Sequence, residues 1–353
     1  MLRNWRQRIT LTDIVVWGIG VSIGIVIVVG TITTLISEKY SAATWLDLTV
    51  KGLALGGVYA LIAMGYTLVY GILRMINFAH SEVFMSGPFT AVFLANAFSR
   101  SGFLDRQPVI SMVLVTLLSM AVSMTIAVLL ERIAYRPLRT APRLVPLITA
   151  IGASFFLQYT FRGLYGSGFE AYPIPKVLQG SFVIGSIRIF STQIVVILGA
   201  IAMMVTLYAI VQWTKIGKSM RAVSEDKEVA ALMGIDVDRT IALTFALGGI
   251  SAGAAGILYA LLFPVVNFFM GFIPGLKAFT AAVLGGIGNV AGAFLGAIVI
   301  GLIESVGPNL FFDGLGIPTP AQMKDAIAFA ILVFILIFRP TGILGERLAE
   351  AKA

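Results

Sequence analysis

Residues 52–73 read GLALGGVYALIAMGYTLVYGIL and contain no Asp, Glu, Lys or Arg. An α-helix rises about 1.5 Å per residue, so a stretch of this length spans the ~30 Å hydrocarbon core of a bilayer. A helix also satisfies its backbone hydrogen bonds internally, as a water-free environment requires. The stretch therefore predicts a transmembrane helix.

Further uncharged runs lie on both sides of this stretch. The run at 240–276 is too long for one span, and Pro264 and Pro274 divide it, so we expect a helix over 240–263 followed by a short external loop. The pattern predicts an all-α, polytopic membrane bundle of about 8–9 segments. The remaining apolar runs occupy 14–36, 75–98, 109–130, 144–161, 189–212, 278–303 and 326–338.

The composition supports a membrane protein and excludes several other classes. Of the 353 residues, 58% are hydrophobic and 12% are charged, whereas soluble domains carry about 25% charged residues. The net charge of +8 does not indicate a nucleic-acid partner, because Lys and Arg lie mainly in the gaps between apolar runs. The absence of cysteine excludes disulfides and thiolate chemistry, and a single histidine excludes a multi-histidine metal site.

Lys and Arg are distributed unevenly between these gaps. If successive runs cross in alternate directions from a cytoplasmic N-terminus, 16 of these residues fall on the cytoplasmic side and five on the other. Cytoplasmic loops hold the excess of positive charge, so we expect both termini in the cytoplasm. The 16 residues are Arg3, Arg6, Arg8, Arg74, Arg132, Arg136, Arg139, Arg143, Lys215, Lys218, Arg221, Lys227, Arg239, Arg339, Arg347 and Lys352.

The same alternation makes a prediction for 276–306. The loop at 307–323 holds no Lys or Arg, whereas the C-terminal tail does. If 264–275 is external and the tail is cytoplasmic, 276–306 must enter and leave on the external side. We expect two antiparallel pieces, 276–286 and 290–306, with a glycine-rich turn deep in the membrane, where unpaired backbone needs water or solute. The alternative is a flexible hinge between two ordinary spans. The turn supplies four candidate pathway residues, Gly285, Gly286, Gly288 and Asn289.

Three polar residues in the run at 75–98 are further pathway candidates. Asn77, His80 and Glu82 precede a Gly87-Pro88 pair that we expect to break the helix. The alternative is that they bond to backbone groups freed by that break. Of the other charged residues in or near spans, most lie close to a helix end and are expected to reach the interface. These are Lys51, Arg162, Lys277 and Glu304.

Glycines recur at four-residue spacing inside the predicted helices. The pairs are Gly52/Gly56, Gly249/Gly253 and Gly292/Gly296. Small residues at this spacing let helix backbones approach closely in lipid. We expect these pairs to mark tight helix contacts.

The longest cytoplasmic loop, 213–240, has the pattern of a short docking helix. Ser224 followed by two acidic residues predicts a helix start, and Gly234 predicts its end, with Ile235 beginning a turn. Between them, three apolar residues form one face. The alternative is a solvated connector. The apolar residues are Val229, Leu232 and Met233.

Several blocks resemble the permease subunits of bacterial branched-chain amino acid ABC importers, of the LivH type. The blocks are GLALGGVYALIAMGYTLVYGILRMINFAHSEVFMSG (52–87), KSMRAVSEDKEVAALMGID (218–236), GLKAFTAAVLGGIGNVAGAFLGA (275–297) and FRPTGILG (338–345). The resemblance implies a permease domain over 46–345, an additional N-terminal transmembrane helix in 1–45 and a cytoplasmic tail at 346–353. The chain departs from the family pattern at Ser81, where glycine is usual.

Within the loop, Glu228-Val-Ala-Ala-Leu-Met-Gly234 is similar to the motif by which such permeases contact their ATPases. The resemblance implies an ATPase-coupling segment that contains Ser224, Glu228, Ala230, Ala231, Gly234, Ile235 and Asp236. It further implies the partners: a second, LivM-type permease, two ATPase subunits and a periplasmic binding protein that delivers a neutral or branched-chain amino acid. The chain would then reside in the bacterial inner membrane and hold no cofactor of its own.

The chain has no phosphate-binding loop of the Walker A type. Its Gly217-Lys218-Ser219 has Gln212 where that loop requires glycine, so the chain cannot hydrolyse ATP by that route. The resemblance implies that partner subunits use the ATP and that this chain is not an enzyme. A urea or short-chain amide permease is the alternative within the class. A standalone channel or facilitator is the alternative outside it.

Overall fold

The computed structural model describes residues 11–139, 141–142, 144–184, 187–317, 320–338 and 341–344. Within these ranges the chain folds mainly into α-helices. They are α1 Leu11–Ile36, α2 Ala42–Leu73, α3 His80–Arg100, α4 Phe103–Arg106, α5 Pro108–Leu129, α6 Leu144–Tyr165, α7 Ser191–Trp213, α8 Lys215–Glu225, α9 Lys227–Leu232, α10 Val237–Leu262, α11 Phe272–Gly285, α12 Val290–Phe312 and α13 Lys324–Phe338. The predicted tail at 346–353 lies outside the described residues.

Seven of these helical segments are long and apolar enough to cross a membrane. Three further helices, α3, α11 and α13, are shorter or carry more polar residues. The prediction of a polytopic helical membrane bundle is confirmed. The seven segments are Trp17–Ile36, Ala42–Leu73, Pro108–Leu138, Leu144–Tyr165, Ser191–Trp213, Val237–Leu262 and Val290–Leu315.

Helix α2, which contains the 52–73 stretch, lies at the centre of the bundle. Nearly all of its residues from Gly52 to Val69 are buried, and it packs against α7, α10, α11 and α12. By contrast, α5, α6 and α7 expose many large apolar side chains on their outer faces. This arrangement is expected of a membrane bundle, in which the outer helices face lipid and the central helix faces protein only.

The predicted glycine pairs all lie at tight helix contacts. A Cβ on Gly56 would stand 2.9 Å from the Cα of Ile298, and one on Gly253 would stand 2.6 Å from the carbonyl oxygen of Ser119. These contacts join α2 to α12 and α10 to α5. On Gly296 a Cβ would meet the carbonyl oxygen of Ala281 at 2.2 Å, so α11 and α12 touch backbone to backbone. The close-packing interpretation is confirmed.

The expected break at Gly87-Pro88 is absent from α3, which continues through Pro88 to Arg100. That prediction was wrong because the neighbouring helix makes room for the proline ring. Gly256 of α10 faces Pro88, and a Cβ there would lie 2.6 Å from the proline Cδ. Helix α3 instead begins at His80, after a non-helical segment that follows α2.

The glycine-rich segment does separate two antiparallel helices, with bounds that differ from those expected. Helix α11 begins at Phe272, so Pro274 lies in its first turn, where a missing N–H is tolerated. Helix α12 continues through Pro308 to Phe312, well beyond the predicted end at 306. The second piece is therefore a full-length helix, whereas the first has only 14 residues.

Two small antiparallel pairings add short strands that hydropathy did not predict. Strand β1, Glu170–Ala171, pairs with β4, Val265–Val266, and so connects the α6–α7 loop to the α10–α11 loop. Strands β2, Ser181–Ile184, and β3, Ile187–Phe190, form a hairpin before α7. Both lie in segments that the charge pattern assigns to the external side.

The N-terminal helix α1 packs along α12 and reaches α13. A Cβ on Gly30 would stand 1.8 Å from the carbonyl oxygen of Phe311, and the ring of Trp17 lies 5.6 Å from that of Phe338. Beyond its C-terminal end, Lys39 pairs with Asp313 at 2.7 Å. The hydrogen bond to Asp313 raises the pKa of Lys39.

Candidate functional site

The loop at 213–240 contains two short helices, α8 and α9, that meet at Asp226. The prediction that Ser224 caps a helix was wrong. Ser224 lies inside α8, and its hydroxyl donates to the carbonyl of Arg221 at 2.7 Å. Asp226 caps α9 instead, accepting from the amides of Glu228 and Val229 at 2.8 and 3.0 Å. Its extended backbone, with φ −149° and ψ 117°, suits a cap, whereas Ser224 is helical.

Gly234 ends α9 as predicted. Its φ of +82° is a left-handed conformation that favours glycine. The amide of Gly234 donates to Ala231 at 3.0 Å and the amide of Ile235 donates to Ala230 at 3.1 Å. This pair of bonds is a Schellman motif, which satisfies the last carbonyls of the helix. Asp236 then accepts from the amide of Arg239 at 2.9 Å and starts α10.

The outer surface of α9 exposes apolar side chains to an unusual degree. Val229 is 53% exposed, Leu232 86% and Met233 78%. Glu228 and Ala231 are also exposed, whereas Ala230 is buried against the rest of the protein. A helix closed at both ends, with its apolar residues facing outward, has the form of a docking element.

The three polar candidates near the start of α3 are all buried, and they point to different neighbours. The hydroxyl of Tyr135 donates to Asn77 Oδ1 at 2.5 Å. The ring of His80 packs edge-on against Tyr66, and its Nε2 has no hydrogen-bond partner among the described residues. The structure therefore does not gather these residues into one cluster.

Glu82 lies at the centre of a polar contact between α3 and α6. Its Oε1 accepts from Gln158 Nε2 at 2.8 Å and from the hydroxyls of Ser154 and Ser81, each at 3.2 Å. Its Oε2 is buried and has no partner in the part of the chain that the structure describes. Sequence reasoning missed Ser154 and Gln158, although their i, i+4 spacing on α6 places them on one face.

The glycine-rich turn is covered by the C-terminal segment, contrary to the expectation of unpaired backbone. The amide of Ile343 donates to the carbonyl of Leu284 at 2.8 Å, and the amide of Leu344 donates to that of Gly285 at 3.0 Å. Gly286 and Gly288 have φ values of +105° and +100°. Asn289 caps α12 through Gly292 and donates to the carbonyl of Leu344 at 3.1 Å. The last carbonyls of α11 therefore need no solute.

Two charged residues that were expected to reach the interface form a buried network instead. Lys277 of α11 lies 2.6 Å from Glu304 of α12 and 2.6 Å from Asp325 of α13. The hydroxyl of Tyr59 on α2 donates to the other oxygen of Glu304 at 2.8 Å. The Lys277 and Glu304 side chains are only 2% and 4% exposed, so residues of four helices meet around one buried lysine.

Comparisons with known proteins agree with this architecture. Residues 48–336 match the family described as "Branched-chain amino acid transport system / permease component", so the matched region starts after α1. The chain is 42% identical over 307 residues to the high-affinity branched-chain amino acid transport system permease protein BraD of Pseudomonas aeruginosa, which covers 86% of this chain and 96% of that protein.

Two further relatives extend the match. LivH of Escherichia coli, named as a permease of the same kind of system, is 38% identical over 84% of this chain and 94% of its own length. A probable LivH of Methanocaldococcus jannaschii is 26% identical over 81% of this chain and 88% of its own. The chain is a multi-pass membrane protein and belongs to the family of permease components of branched-chain amino acid transport systems.

Proposed function

We propose that this chain is the translocation subunit of an importer that carries neutral, branched-chain amino acids into the cytoplasm. A binding protein outside delivers the substrate, a second related permease completes the passage, and two separate subunits hydrolyse ATP. The names of the full-length relatives support this substrate class. ATP enters only through the partner subunits, so this chain holds no cofactor.

The observation that carries the proposal is the exposed helix α9. Its apolar residues would be unfavourable in contact with water, and burial in a cleft of an ATPase would stabilise them. The Asp226 cap and the Schellman turn at Gly234 fix both of its ends. A helix with fixed ends transmits a displacement to the following helix, α10, which a flexible connector does not.

The pathway half of the proposal rests on α3 and the glycine-rich turn. Glu82 keeps one carboxylate oxygen free inside the bundle, and His80 keeps one ring nitrogen free. Helix α11 connects both regions, because a Cβ on Gly275 in its first turn would lie 2.4 Å from Ser81, and Gly285 ends it about 15 Å further along. A passage between them requires the C-terminal segment over the turn to move.

Reconstitution tests the substrate and the energy source together. Proteoliposomes that contain this chain, its partner permease, both ATPases and the binding protein should accumulate labelled leucine, isoleucine or valine only when ATP is present. Uptake of urea or acetamide in place of these amino acids would support the amide permease instead. Flux without ATP or ATPases would support a facilitator.

A matched pair of variants tests the docking helix. Glu228→Lys reverses a charge on α9, and Glu225→Lys makes the same change at an exposed residue on the end of α8. We expect Glu228→Lys to release the ATPases during purification and to abolish uptake, with Glu225→Lys close to wild type. Normal binding and uptake in both variants would contradict the docking role of α9.

The pathway is tested separately. Gly286→Leu fills a buried position in the turn, whereas Gly166→Ala strains a similar left-handed backbone at an exposed position outside the turn, with open space around it. We expect the first variant to block uptake with the complex assembled and the second to retain it. Equal uptake by both would mean that the turn is only a hinge.

A further inference from the structure

A network of charged side chains joins the cytoplasmic ends of α5 and α10. Arg139 donates to Glu131 and, at 2.5 Å, to Asp238 Oδ1, and Arg136 pairs with the other oxygen of Asp238. Glu131 lies in a π-helical segment, Leu130–Tyr135, that continues α5. Asp238 lies in the first turn of α10.

The burial of these groups divides the network into a fixed part and an accessible part. Glu131 is 1% exposed, so its charge requires a partner, and Arg139 is that partner at 16% side-chain exposure. The Asp238 side chain is 47% exposed. Arg139 is thus anchored to α5 through Glu131 and holds α10 through a carboxylate that lies near the surface.

The point at which Arg139 holds α10 follows directly after the docking helix. Asp238 is two residues beyond Asp236, the cap that separates α10 from the turn at Gly234. Burial, with the positive charges of Arg139 and Arg74, lowers the pKa of Lys227 at the start of α9. A displacement of α9 therefore reaches α10 at the residue that is tied to α5.

Helices α5 and α10 remain in contact along their length. A Cβ on Gly249 would stand 2.7 Å from the Cα of Met124, and α5 also contacts α3, where the hydroxyl of Ser123 donates to Val83 at 2.7 Å. Val83 adjoins Glu82. A joint movement of α5 and α10 would therefore reach the proposed pathway.

We propose that Arg139 is a positioning residue for energy coupling, which locks the first turn of α10 to the end of α5 so that both helices follow α9 together. The inference rests on the proposed function, because it assumes that the ATPases dock on α9. Without the lock, α9 would still bind them, and its movement would be taken up locally at the start of α10.

The test measures uptake per ATP hydrolysed in the reconstituted importer. Asp238→Asn removes the accessible side of the lock and leaves the Glu131–Arg139 pair in place, so folding should not be affected. We expect the ATPases to co-purify as in the wild type, ATP hydrolysis to continue, and uptake per ATP to fall at least fivefold. Asp238→Glu should restore at least half of the coupling.

Arg139→Gln and Arg132→Gln form the matched control, since Arg132 is exposed on the same π-helical segment. Arg139→Gln should uncouple as Asp238→Asn does, and Arg132→Gln should behave as the wild type. If the Arg139→Gln protein does not reach the membrane because Glu131 is left unpaired, the result for Asp238→Asn decides the test. Wild-type coupling in Asp238→Asn would overturn the proposal.

Two other outcomes are also decisive. Loss of ATPase binding in Asp238→Asn would make the network part of the docking surface and would overturn the positioning role. Normal ATPase binding and uptake in Glu228→Lys would contradict the proposed function. If Glu228→Lys is inactive but Asp238→Asn keeps the wild-type uptake per ATP, only the positioning role of Arg139 is contradicted.

Discussion

The buried pair between Lys277 and Glu304 gives a prediction whose magnitude follows from the structure. Replacement of Lys277 by methionine keeps the apolar stem and removes the charge, which leaves the carboxylate of Glu304 buried with only Tyr59 to donate to it. Removal of one partner from a buried pair costs about 3–5 kcal/mol, because the other charge cannot return to water. We expect Lys277→Met to lower the free energy of unfolding by this amount.

The surface pair between Lys51 and Asp47 provides the matched control. Its N–O distance is also 2.6 Å, but its side chains are 46% and 27% exposed. Exposed pairs contribute about 0.2–1 kcal/mol, so Lys51→Met should cost no more than about 1 kcal/mol. Lys277→Met also removes the contact between Lys277 and Asp325, but the Asp325 side chain is 43% exposed and can be solvated. The difference between the two variants therefore comes mainly from the burial of Glu304.

The assay is denaturant unfolding in mixed micelles, followed by tryptophan fluorescence. The double variant Lys277→Met/Glu304→Gln should recover at least about 2 kcal/mol relative to Lys277→Met, since it removes the unpaired charge. Equal losses for Lys277→Met and Lys51→Met would refute the argument from burial. A double variant that is no more stable than Lys277→Met would also refute this argument.

Three further predictions concern orientation, the end of α9 and the loop between α6 and α7. The chain has no cysteine, so Leu232→Cys and Leu315→Cys can be labelled individually with an impermeant thiol reagent. In intact cells only Leu315→Cys should react. Labelling of Leu232→Cys would contradict the predicted topology. Gly234 has open space around it, so any effect of a substitution there comes mainly from its positive φ. Gly234→Asn should retain more ATPase binding than Gly234→Val, because asparagine tolerates a positive φ at a lower cost than the roughly 1–2 kcal/mol expected of other residues. Equal loss of ATPase co-purification in both variants would mean that the added side chain, and not the backbone strain, disrupts binding. Asp105 accepts from the backbone amide of Lys176, which lowers the pKa of the carboxyl below its ordinary value near 3.8. The stabilisation by the Asp105 carboxylate is therefore present above that pH and is lost as the pH falls through the lowered pKa. Acid should thus increase protease cleavage at 166–180 in the wild type more than in Asp105→Asn.

Local patterns in the sequence were sufficient to predict the helical bundle, the tight glycine contacts and the stop at Gly234. Each depends on a property of a short segment: an uncharged run as long as the bilayer is thick, small residues one turn apart, or a residue that tolerates a positive φ. The family resemblance, carried by the blocks at 52–87 and 275–297, likewise needs no tertiary information.

Only the tertiary structure decided how the polar groups are paired. Lys277 and Glu304 are 27 residues apart, Glu82 and Gln158 are 76 apart, and Arg139 and Asp238 are 99 apart. No local periodicity relates such positions, since their contacts depend on which helices become neighbours. The same holds for the turn at Gly286, where the C-terminal segment supplies the amides that pair with α11. The sequence by itself determines which segments enter the membrane, and helix packing determines which buried charges meet there, because a charge removed from water must be paired by whatever the fold places beside it.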